Sequence, residues 1–125
     1  MTLQDIQKRN EHFQKKTIEL VELLPGSGFL EVSTALIRSI RLIDKYLIKS
    51  LQVQTPGQFS RLMGMIEEEL DEAVYILDRI DKTNRTYKMK AVENFLKEGY
   101  DLLAIYSLCC DQLIGKKLRV DEDIL

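Results

Sequence analysis

The spacing of apolar residues predicts an all-α fold, an antiparallel four-helix bundle that runs up, down, up, down. Phe59, Leu62, Ile66, Leu70, Ala73, Leu77 and Ile80 recur at steps of three and four, and similar spacings continue through most of the 125 residues. Two prolines and a few of the glycines fall where four such segments must separate. A chain of this length builds one core and is too short for two ordinary domains.

The first helix is expected over residues 3–24. Its stripe is Leu3, Ile6, Asn10, Phe13, Thr17, Leu20 and Leu24, a heptad spacing in which Asn10 and Thr17 are polar interruptions that help to fix register. Pro25-Gly26-Ser27-Gly28 stops it. The second helix, residues 29–51, carries Val32, Leu36, Ile40, Ile43, Leu47 and Leu51, and Ile37 and Ile48 widen that stripe enough to meet more than one neighbour. Thr55-Pro56 supplies a hydroxyl cap followed by proline in the first turn, which opens a third helix over residues 56–80.

Asp81-Lys82-Thr83-Asn84 reads as a polar junction, and the fourth helix is expected over residues 84–114 through Val92, Phe95, Gly99, Leu102, Tyr106, Cys109 and Leu113. Gly115 reads as its end, residue 118 as the limit of the bundle and residues 119–125 as a flexible acidic tail. Gly64 and Gly99 lie inside helices, where each costs roughly 1 kcal/mol relative to alanine, so a close helix-helix approach is expected at both.

Eighteen basic residues against twenty acidic ones leave a net charge of -2, which removes bulk attraction to nucleic acid or anionic lipid and leaves only local patches. No stretch approaches the roughly 20 apolar residues of a membrane span, and Met1-Thr2-Leu3-Gln4-Asp5 lacks the basic and apolar parts of a signal peptide, so a cytoplasmic protein is expected. Cys109 and Cys110 are adjacent on a helix and point about 100° apart, so they read as reduced thiols, one facing the core. His12 is the one histidine, which rules out a carboxylate-bridged di-iron bundle with its paired Glu-x-x-His motifs. No nucleophile triad is assigned, because the cysteines lie far in sequence from that single base.

Two charged constellations remain. Arg38, Arg41, Lys45 and Lys49 are spaced three, four and four apart, which aligns four cations along one face of the second helix as a rail for phosphates. The third helix carries Glu68-Glu69-Leu70-Asp71-Glu72 and the fourth Glu98-Gly99-Tyr100-Asp101. Glu68 and Glu72 share one helix face, as do Glu98 and Asp101, so two facing helices are able to present four carboxylates to Mg²⁺. For both sets the alternative is a solvated face, which a chain with 30% charged residues readily produces.

The acidic pattern resembles the EExxE and ExxD motifs of MazG-like all-α nucleoside triphosphate pyrophosphatases. That resemblance implies magnesium held by Glu68, Glu69, Glu72, Glu98 and Asp101, and hydrolysis of a nucleotide. A second resemblance covers residues 17–118. A helix ending in Leu24-Pro25 is followed by one holding Leu36-Ile37-Arg38-Ser39-Ile40-Arg41-Leu42-Ile43. Then come a break at Gln54-Thr55-Pro56-Gly57, the run Leu70-Asp71-Glu72-Ala73-Val74-Tyr75-Ile76-Leu77, and Glu98-Gly99-Tyr100-Asp101-Leu102-Leu103 on the last helix. This layout is similar to the four-helix-bundle family of 23S rRNA intervening-sequence proteins and retroelement accessory variability determinants. It implies a cytosolic bundle assembling into a ring, often a pentamer, that associates with RNA and its protein partners.

Met63, Met65, Tyr75 and Ile76 on the third helix, with Tyr100, Ile105 and Leu108 on the fourth, exceed what one core stripe requires. They point either to homo-oligomerisation or to a thicker core. The leading expectation is therefore a non-enzymatic, oligomeric interaction bundle that binds RNA or a nucleoprotein without a cofactor. A Mg²⁺-dependent pyrophosphatase and a purely structural assembly component are the alternatives.

Overall fold

A computed structural model of the chain describes residues 3–26 and 28–124, with side chains through residue 115. Four helices fill it: α1 (Leu3–Leu23), α2 (Phe29–Ser50), α3 (Pro56–Tyr87) and α4 (Lys90–Ile124), and no strand occurs among the described residues. Each helix packs on the next, and α4 closes back on α1, so the four form an antiparallel bundle as the apolar spacing predicts.

The core follows the stripes. Phe13, Leu36, Ile40, Ile43, Leu47, Ile66, Leu77 and Tyr106 are wholly or almost wholly withdrawn from solvent. Phe13 stacks on Phe95 with ring centroids 4.9 Å apart, and Phe29 meets the same ring edge-on at 5.9 Å. These contacts tie α1, α2 and α4 together near the middle and one end of the bundle. Both polar interruptions of the α1 stripe are buried, but they behave differently. The Thr17 hydroxyl donates to the Phe13 carbonyl of its own helix at 2.8 Å, whereas Asn10 reaches across to α2.

Caps explain where the helices begin. Thr55 is extended, and its hydroxyl accepts from the Gln58 N–H at 3.3 Å with Pro56 in the first turn, the cap expected from Thr55-Pro56. Before α2 the chain turns through Gly26 and Gly28, with φ of 76° and 79°, a region that favours glycine.

The α3–α4 junction differs from the sequence expectation. Asp81-Lys82-Thr83-Asn84 does not break the helix: α3 continues to Tyr87, and α4 starts at Lys90 instead of at residue 84. Local bonds hold the polar stretch helical, since the Thr83 hydroxyl donates to the Arg79 carbonyl at 3.1 Å and Arg85 pairs with Asp81 at 3.3 Å. Asn84 stays on the buried face, where its side chain accepts from the Met89 N–H at 3.0 Å and donates to the Met89 carbonyl at 3.3 Å. The turn itself falls at Lys88, whose φ is 51°.

Gly115 does not end α4 either. The helix runs to Ile124, so residues 119–124 of the expected tail are helical, and Leu125 lies outside the described residues. A single glycine lowers helix propensity without stopping a helix that has already propagated.

The two mid-helix glycines part company. A methyl group on Gly99 would stand 3.0 Å from Leu77 Cδ1 and 3.1 Å from Phe13 Cζ, so this position is the expected close approach. Gly64 has nothing within 4 Å and is exposed, which removes the packing reason for it. Of the seven surplus apolar residues, Met63 and Ile76 are buried, and Met65, Tyr100 and Ile105 are half-buried. Only Tyr75 and Leu108 remain exposed, so most of that second stripe belongs to the chain's own thicker core. No helix among the described residues is long and apolar enough to cross a membrane.

Candidate anion-binding face

Arg38, Arg41, Lys45 and Lys49 are all exposed on α2, opposite its buried stripe of Leu36, Ile40, Ile43 and Leu47. At 1.5 Å per residue the rail is about 16 Å long. None of the four makes an ion pair among the described residues, so the acidic part of α3 does not neutralise them within the chain.

What stands between them in sequence matters as much. Asp44 is the only acid between Glu31 and Glu67. Its carboxylate is drawn away from the rail: Oδ1 accepts the Tyr106 hydroxyl at 2.6 Å and Oδ2 accepts the Asn10 side-chain amide at 2.6 Å. Tyr106 is completely buried. Its burial and then its bond to Asp44 push the phenol well above its ordinary value, so it remains a neutral donor.

From Asp44 the bonds continue outward to the rail. A carboxylate only accepts, so Asn10 must turn its NH₂ to Asp44 and its oxygen to Gln14, whose NH₂ donates at 2.8 Å. Gln14 then presents its own oxygen to Arg41, which donates through Nε at 3.2 Å and Nη2 at 3.1 Å. The order Arg41 to Gln14 to Asn10 to Asp44 is a one-way series of donors that links a surface cation to an inward-facing anion through two amides. It fixes the Arg41 guanidinium while leaving donors free on its outer edge. The sequence showed Asn10 as a polar interruption, but it did not show Asp44 or Tyr106 as its partners, because they lie 34 and 96 positions away on other helices.

The five carboxylates of the magnesium reading are not gathered in the same way. Glu98 and Asp101 line a cleft of about 320 Å³ between α4 and α1, with Lys8, Arg9 and His12 on its other wall. Glu98 Oε1 lies 4.0 Å from His12 Nε2, while Glu98 Oε2 is buried without a hydrogen-bond partner. Glu68 and Glu72 are exposed and Glu69 half-buried on α3. Among the described residues no three His, Cys, Asp or Glu side chains converge as metal ligands. The four carboxylates that two facing helices are able to present do not converge among the described residues, and Glu98 and Asp101 face α1 across the cleft.

Neither of the adjacent cysteines is in a disulfide, and Cys110 is buried while Cys109 is half-buried, as their helical spacing predicts. Burial, with smaller contributions from Cys109 and Asp111, pushes the Cys110 thiol up to about 11. Comparison with known proteins adds no counterpart to this geometry: no family model, curated protein or solved structure matches the chain.

Proposed function

We propose that this chain is a non-enzymatic interaction bundle whose outer α2 face binds an RNA backbone. One observation carries the proposal: four cations share that exposed face while the only acid interspersed among them, Asp44, is held inward by Asn10 and Tyr106. The rail therefore presents one sign of charge in a molecule whose net charge is -2. Arg41, anchored by Gln14, is the position best suited to a directed phosphate contact, and Arg38, Lys45 and Lys49 supply a diffuse attraction. The layout resemblance to the intervening-sequence and accessory-determinant bundles supports the same partner class. A pentameric ring rests on that resemblance alone, whereas homo-oligomeric assembly draws further support from the exposed apolar side chains Tyr75 and Leu108.

The test is the binding of a single-stranded RNA of mixed sequence, followed by fluorescence anisotropy over a range of salt. Four phosphate contacts give a log-log slope of about -3 to -4. Changing Arg38 and Arg41 together to glutamate is expected to abolish binding while the helical circular dichroism and melting temperature are preserved. Binding that ignores salt or survives the double change would refute the assignment.

A further inference from the structure

At the end of the bundle where the α1–α2 loop meets the α3–α4 turn, a half-open cavity of about 580 Å³ enters between the helices. Its apolar wall includes Leu24, Phe29, Val32, Ile80, Met89 and Val92. A volume of this size is within the range of small-molecule sites. The polar side chains in the wall are nearly all committed elsewhere. The Thr83 hydroxyl donates to a carbonyl of its own helix, and both ends of the Asn84 amide are used by Met89. Tyr87 is 71% exposed and so stands at the opening. Arg79 is left: it makes no ion pair among the described residues and lies 5.8 Å over the Tyr75 ring.

The surroundings favour an anion at that point. Among the described residues Arg79 is the one charged side chain in the cavity's wall, so a head group seated there meets a positive charge. A ligand with several polar groups would bury some of them unpaired against this wall. A ligand with one anionic head and an apolar remainder would not.

We infer that this end cavity binds a single-chain carboxylate amphiphile, its alkyl chain along the apolar wall and its head on the Arg79 guanidinium. The site is distinct from the α2 rail and does not depend on the RNA reading. Arginine suits a planar carboxylate because two of its N–H donors match the two oxygens.

Dodecanoate and its uncharged analogue dodecanol serve as probes for calorimetric titration of the full chain below the micellar concentration. Saturable one-to-one binding of dodecanoate is expected, weakened about tenfold or more in Arg79→Ala, with dodecanol affinity unchanged by that substitution. Val32→Trp fills the cavity and is expected to remove binding of both probes, and circular dichroism confirms that each variant is folded. Absence of saturable binding to the unaltered chain overturns the inference. So does equal dodecanoate affinity in Arg79→Ala, which reduces the cavity to an apolar patch. Retention on anionic phospholipid vesicles without binding of free dodecanoate overturns it as well, in favour of a membrane surface.

Discussion

At the scale of single residues, Gly64 and Gly99 separate two effects that the sequence presents as one. Gly64→Ala adds a methyl to open space on an exposed helix position and is expected to stabilise the chain by about 1 kcal/mol. Gly99→Ala gains the same propensity but drives its methyl against Leu77 and Phe13, so a net loss of about 1–2 kcal/mol is expected. Urea denaturation of the two variants measures both signs. Cys110 gives a pH prediction. Its thiol stays protonated in the folded chain up to about 11, whereas the ordinary value is 9.0, so the folded state holds the proton more tightly. The associated stability is fully present below pH 9.0 and falls as pH rises from there through 11. Replacing Cys110 with alanine is expected to flatten the stability curve over that window in pH-dependent denaturation. Alkylation at pH 9.0 should accordingly reach Cys109 before Cys110, a sequence that peptide mass mapping resolves.

Among the elements, the α3–α4 turn shows where periodicity ceases to inform. Ile80 and Asn84 both lie on the buried face, yet the polar residues around them suggest a loop. Nothing in the local pattern reveals that Asn84 will bind both backbone groups of Met89, since that contact exists only after the chain has reversed. The start of α3 was easier to read, because Thr55-Pro56 acts through its immediate neighbours. Lys88 is the strained element of the turn: its left-handed backbone costs a side-chain-bearing residue roughly 1–2 kcal/mol. Part of that returns as the unfolded-state freedom that glycine adds. Lys88→Gly is thus expected to stabilise the bundle by about 0.5–1 kcal/mol, read from the denaturation midpoint. The apolar stripes, which repeat over many turns, gave the fold class and nearly all the core. Interactions carried by one polar residue on each of several helices, such as Asn10, Asp44 and Tyr106, had no repeat by which to be recognised.

Over the whole molecule, charge is divided between the two halves. Residues 3–55 contain eight basic and six acidic side chains, and residues 56–115 contain seven and eleven, giving +2 and -4. Net charge alone hides this division, which is why composition argued against a polyanion partner while the α2 face argues for one. The positions of Arg38, Arg41, Lys45 and Lys49 were legible from helical spacing. That none of them forms an ion pair among the described residues, and that Asp44 points away to Asn10 and Tyr106, are properties of packing.

The donor series ending at Asp44 also settles a question that apolar stripes leave open. Four antiparallel helices joined in series are able to wind around their common axis in either of two senses, and the same stripes close an oily core in both. Asp44 lies on the flank of α2 that faces α1, where Asn10 and Tyr106 reach it together. Winding the bundle the other way places α3 on that flank, separates the carboxylate from both donors and leaves the Asn10 NH₂ and the buried Tyr106 hydroxyl without that acceptor, at the cost of burying unpaired polar groups. One acid, one amide and one phenol therefore favour one hand of this bundle over the other.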